Sequence, residues 1–205
     1  MCPIPFTHDR LHETHHWWHE IARFYHEPEP FRYGLGAFIQ AARSVTFMLQ
    51  NEKSAFQQFD WYELWREKAK NDAVLSWLNG ARADVVHRRA LEPNSWMEMR
   101  CLDNPRRPHG TDDDDDPFRF RVNPFACTHY YITAGGGPWG GDHRHEWERH
   151  WETEGLEGRE LLEACADVYD RLDELVTEAH GRLDASVTSF RRKALLARCR
   201  AWRMC

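Results

Sequence analysis

Within Ala81-Arg82-Ala83-Asp84-Val85-Val86-His87 an arginine and a histidine stand five positions apart. Arginine stays charged at any working pH, and its planar fork matches a phosphate. Histidine gives or takes a proton near neutrality. Together they could cleave RNA without a metal. The imidazole would deprotonate a ribose 2'-hydroxyl or protonate the leaving 5'-oxygen, and the guanidinium would neutralise charge building on the phosphate. Arg-x4-His is a short pattern that chance supplies often, and the bland alternative is two structural polar residues at an interface. On a regular helix the two positions lie about 140° apart in azimuth and about 7.5 Å apart along the axis. One active site therefore requires a local break in the helix, or a second copy of the chain facing the first.

A second constellation is histidine-rich. His12, His15, His16 and His19 read His-x-x-His-His-x-x-His, with His8 and His26 flanking them. His12, His16 and His19 would share a helix face near Glu13 and Glu20, enough imidazoles for zinc, nickel or copper. His143, His145, Glu146 and His150 make a looser group. Trp17 and Trp18 supply a buried side for the first helix, which leaves its histidines as surface residues. No metal ligand and no cofactor is accordingly expected. Thirty-three acidic residues guarantee chance carboxylate pairs, and none sits in a recognisable catalytic frame.

Several elements must position these groups. Residues 9–26 read as a helix, broken by Pro28 and Pro30. Phe31, Leu35, Phe38, Ala42, Val45 and Leu49 then recur at spacings of four and three, a continuous apolar stripe on a helix of about five turns. Asp60 is a candidate N-cap for a third helix with Glu63 as its capping-box partner, and Trp61, Leu64, Trp65 and Lys68 mark one side. Val74, Leu78, Ala81 and Val85 stripe a fourth helix, which carries Arg82 next to the stripe and His87 near its end. Residues 92–117 read as loop, with five consecutive aspartates from Asp112 to Asp116. Phe118–Val122 and Thr128–Thr133 are strand candidates for a small hairpin. Gly135–Gly141 is a flexible loop without the Lys-Ser/Thr of a phosphate-binding loop. A last helix, about Gly158 to Leu183, carries Leu161, Cys165, Val168, Leu172, Leu175, Ala179 and Leu183 on its stripe.

The chain of 205 residues is 41% hydrophobic and 29% charged, enough for one domain with a core. Its six cysteines form no C-x-x-C pair, which fits free thiols in a reducing compartment. No apolar run reaches membrane-spanning length and no signal-peptide order opens the sequence, so a soluble cytoplasmic protein is expected. A net charge of -6 argues against a general nucleic-acid coat. Yet six of the 27 basic residues, Arg191, Arg192, Lys193, Arg198, Arg200 and Arg203, crowd an acid-free tail over 189–205.

The helical start, the long striped second helix and Trp77-Leu-Asn-Gly-Ala-Arg-Ala-Asp-Val-Val-His87 resemble the HEPN domain family. That family's signature separates Arg and His by four to six residues. The resemblance implies a mainly α-helical bundle, here with a small β-hairpin insertion and a long late helix. The divisions would be 8–91 for the helical core, 92–156 for the insertion, 157–188 for the late helix and 189–205 for the basic tail. It also implies a homodimeric, metal-independent endoribonuclease of toxin or defence type, leaving 2',3'-cyclic phosphate and 5'-hydroxyl ends, with a possible neutralising antitoxin. Arg82 and His87 would be the catalytic pair, Asp84 a supporting residue, and Arg88 and Arg89 RNA contacts. Ala83 stands where the family commonly has a polar residue. Arg89 stands where a tyrosine commonly follows in antitoxin-silenced members. The alternatives are a non-catalytic HEPN-like interaction module and a histidine-bound metal protein.

Overall fold

Pro5 and Pro28 each open a helix in the first turn, where a missing N–H costs nothing. Helix α1 runs Pro5–Arg23 and α2 runs Pro28–Asn51. The computed structural model describes residues 2–87, 91, 93–101, 118–122, 145–156 and 158–183. Within these residues follow α3 (Trp61–Asn71), α4 (Ala73–His87), β1 (Asn94–Cys101), β2 (Phe118–Val122), β3 (His145–Glu152) and α5 (Leu161–Arg182). The architecture is mainly α-helical with one small antiparallel sheet.

The short connection after α1 folds α2 back along it. The expected stripe on α2 is the core: Phe31, Leu35, Phe38, Ala42, Val45 and Leu49 are buried, joined by Ile39. Gly34 lets the two helices approach closely, since a Cβ there would stand 2.9 Å from Cγ2 of buried Ile21. At the far end of the pair, Glu52 follows α2 and serves the first turn of α1. Its carboxylate accepts from Phe6 N (3.0 Å), Thr7 N (2.9 Å) and Thr7 Oγ1 (2.6 Å). The free N–H groups of a helix start favour an anion there.

Helix α5 packs along α1, and its stripe closes the core with Leu161, Cys165, Val168, Leu172, Leu175 and Ala179. Its N-cap is Glu160, whose Oε2 accepts from Leu162 N (2.7 Å) and Glu163 N (3.1 Å) while Oε1 accepts from Tyr25 Oη (2.8 Å). Just before α5, Trp151 of β3 is fully buried and stacks on Phe31 at 4.4 Å. Its Nε1 donates to the Tyr25 carbonyl (2.8 Å). These contacts fix the start of α5 against the end of α1.

Three sequence expectations change. Asp60 and Glu63 make no capping box: Asp60 has helical dihedrals and no cap hydrogen bond, and Glu63 pairs with Arg66. The neighbouring acid Asp72 is the one that caps, its Oδ1 accepting from Val74 N and Leu75 N at 3.1 Å each to start α4. The buried side of α3 is Trp61 with Tyr62, and Leu64 is exposed, because Tyr62 stacks on Phe59 and turns that side inward. Most consequentially, the segment read as loop from 92 contains the central strand. The order is β2-β1-β3, with Met97 opposite both Phe120 and Arg149. The strand at 118–122 pairs with β1; its expected hairpin partner was 128–133. The latter segment lies outside the described residues, as do the aspartate run, the Gly135–Gly141 loop and the basic tail.

The two α2 glycines should respond oppositely to enlargement. Gly34→Val should lose about 1–3 kcal/mol by overpacking against Ile21. Gly36→Ala, with open space at its Cβ, should gain up to about 1 kcal/mol from helix propensity. Urea denaturation midpoints of the two variants would check the contrast.

Candidate metal centre

The start of α1 and the last turn of α5 meet because the helices run antiparallel. There three donors from three places in the sequence converge: Cys2 before α1, His8 in its first turn and His180 near the end of α5. Their ligand atoms all lie within 4.8 Å of one another. His180 Nε2 is 3.2 Å from His8 Nε2 and 3.3 Å from Cys2 Sγ. The imidazoles of His8 and His180 meet edge to face, with centroids 4.6 Å apart. His180 is buried, whereas Cys2 and His8 are half-exposed, so the group is closed on one side and open on the other.

The backbone sets the tautomer of His180. Its Nδ1 stands 2.8 Å from the Val176 carbonyl, one helical turn back. A carbonyl only accepts, so Nδ1 carries the proton and Nε2 presents its lone pair to Cys2 and His8. A backbone carbonyl on the distal ring nitrogen is the usual support of a metal-ligating histidine. One lone pair faces two possible donors and can serve only one well. A cation placed among the three would be met by all of their lone pairs.

The histidines singled out from spacing are arranged differently. His12 and His16 are exposed, and among the described residues they form no ligand set with His19. Instead His15 and His19, four apart, approach with Nε2 atoms 3.2 Å from each other. His15 also contacts the rings of Trp18 and Tyr169. Burial, with the neighbouring His19, His12 and His16, pulls the His15 pKa down from 6.5 to about 4. Burial lowers His19 as well. His150 stacks flat on Trp96 at 4.0 Å, and His143 lies outside the described residues.

Helix α4 is unbroken from Ala73 to His87, so the kink that would join Arg82 and His87 in one chain is absent. Arg82 lies over the Phe47 ring, 5.4 Å from its centroid. Asp84 is half-exposed on the same helix. The His87 side chain, Arg88 and Arg89 lie outside the described residues. Sequence reasoning missed Cys2 and His180. Cys2 gave no signal, being 178 positions from its partner. His180 did give one: it sits one turn after Val176, on an otherwise apolar face of α5.

Comparison with known proteins settles the lineage. The family model for bacteriophage lambda protein ea47 matches residues 1–107, which takes in α1 to α4 and β1. The chain belongs to the bacteriophage lambda protein ea47 family. It is 37% identical over 73 residues, 33% of its length, to "Protein ea47" of Escherichia phage lambda. The matched stretch covers 17% of that protein. No solved structure matches.

The ea47 assignment overturns the HEPN resemblance. The expectations it carried, catalytic or not, go with it: endoribonuclease activity, a toxin or defence role, and a HEPN-like interaction module. The shared features were a helical hairpin with a striped second helix and a short Arg-x4-His pattern, and unrelated helical proteins reach both independently. Among the described residues no helix is long and apolar enough to cross a membrane.

The His15 environment predicts a pH dependence. Between pH 6.5 and about 4 the unfolded chain takes up a proton at His15 that the folded chain refuses. Stability should therefore fall as the pH is lowered through that window. His15→Gln should flatten the fall, as read from urea midpoints at a series of pH values.

Proposed function

We propose that this chain is a helical metal-binding module in which Cys2, His8 and His180 hold one divalent cation, zinc foremost. The observation that carries this reading is the lone pair of His180 Nε2, set by the Val176 carbonyl and aimed at both other donors. Zinc–nitrogen bonds of 2.0–2.1 Å at tetrahedral angles put neighbouring nitrogens about 3.3 Å apart. The His8–His180 separation of 3.2 Å is close to such an edge. A thiolate with two imidazoles is a donor set that suits borderline-soft ions rather than calcium or magnesium. Three protein ligands leave a fourth position for water or an outside donor, on the half-exposed side.

The ion would clasp the first turn of α1 to the last turn of α5, elements separated by most of the sequence. A ligand that binds only the folded chain stabilises it by mass action, by about 2.7 kcal/mol at a hundred times its dissociation constant.

Chelator-treated protein titrated with zinc should take up one equivalent and melt at a higher temperature. Cobalt should give a thiolate charge-transfer band. Cys2→Ala, which removes a half-exposed side chain, should abolish that band and most of the thermal gain without unfolding the chain. His180→Asn should do the same. If zinc leaves the melting temperature of wild type unchanged, the module reading fails.

A further inference from the structure

A second site lies at the junction of α2, α3 and α4, away from the Cys2–His8–His180 group. Arg43 of α2 and Arg82 of α4 both lie over one ring, that of Phe47, with guanidinium carbons 4.9 and 5.4 Å from its centroid. Phe47 itself is 41% exposed, and Arg43 and Arg82 are half-buried beside it. Arg66 and Tyr62 of α3 complete the surroundings, close enough to act electrostatically on Arg43.

The charge balance of this cluster is one-sided. Arg66 is answered by Glu63, 2.8 Å away. Arg43 donates from Nη1 to Thr46 Oγ1 (2.6 Å), and its buried Nε has no hydrogen-bond partner among the described residues. No carboxylate among the described residues forms an ion pair with Arg43 or Arg82. Burial works most strongly against the charge on Arg43; Tyr62 favours it, while Arg82 and Arg66 oppose it. Half-burying a guanidinium beside two others, without a counter-anion, is costly. Such an arrangement is relieved by an oxyanion, and two guanidinium forks held on one ring suit the several oxygens of a phosphate.

We propose that Arg43 and Arg82, held over Phe47, form a binding site for a phosphate group. Cation–π contact with Phe47 orients both forks in advance, so little side-chain freedom remains to be lost on binding. Arg66, already paired with Glu63, adds charge at longer range. The site needs no histidine and does no chemistry on the phosphate.

The test uses the whole chain and three probes: inorganic phosphate, a mononucleotide and a labelled single-stranded oligodeoxynucleotide. Phosphate and the mononucleotide are read by thermal shift and the oligonucleotide by fluorescence anisotropy. At least one probe should bind wild type. Arg82→Gln should weaken it roughly tenfold or more, and Arg82→Lys, which keeps the charge and loses the fork, by less. For the oligonucleotide, Arg82→Gln should also lower the slope of log affinity against log salt by about 0.7. Tighter binding of the oligonucleotide than of phosphate assigns the site to a nucleic-acid strand, and equal binding assigns it to a small phosphate ligand. If Arg43→Gln fails to fold, Phe47→Leu serves in its place, since it disturbs both forks at an exposed position. The proposal is overturned if no probe binds wild type, or if folded Arg82→Gln and Phe47→Leu bind as tightly as wild type.

Discussion

The close contact of α1 with α2 is the constraint on which the rest depends. Gly34 removes the Cβ that would hold the helices apart, and Ile21 fills the space. Glu52 then fastens the opposite end of the pair by accepting three hydrogen bonds from the first turn of α1. A helix fixed at both ends cannot roll. That is why His8 and His15 are held on the side toward α5, against His180 and Tyr169 respectively.

Helix α5 is fixed in turn by a polar contact set into an apolar one. Trp151 stacks on Phe31 and donates to Tyr25, and Tyr25 donates to Glu160. Burial pushes the Glu160 carboxyl up, while the bonds from Tyr25 and from Glu163 and Leu162 N–H pull it down. The desolvation of one carboxylate is thus offset by work it does twice, capping α5 and tying it to the end of α1. From that anchor α5 runs about 30 Å to His180. Two antiparallel helices of similar length then bring the last turn of one beside the first turn of the other.

The fold was legible where a single helix face decided the pattern. The α2 stripe and the α5 stripe are buried nearly residue for residue, because 3.6-residue periodicity is a local property. Of the sheet only β2, Phe118–Val122, was legible, from its period-two alternation. Asn94–Cys101 follows a proline and mixes polar, aromatic and sulfur-containing residues, and it becomes a strand by pairing with segments up to 58 positions away. The cap at Asp60 failed for a related reason: Asp60 and Asp72 both precede helices, and only backbone geometry distinguishes them.

The chemistry divides along the same line. Sequence alone determined the helix faces, the concentration of histidine in the first helix, and Arg82 beside a buried stripe. It could not rank these groups, since ligand and ion sites are made by side chains that meet across the core. Arg82 meets Phe47 and Arg43 on another helix, and His180 meets His8 and Cys2 from the opposite end of the sequence. Periodicity says which way a side chain faces, and only the packing of one helix on another says what it faces.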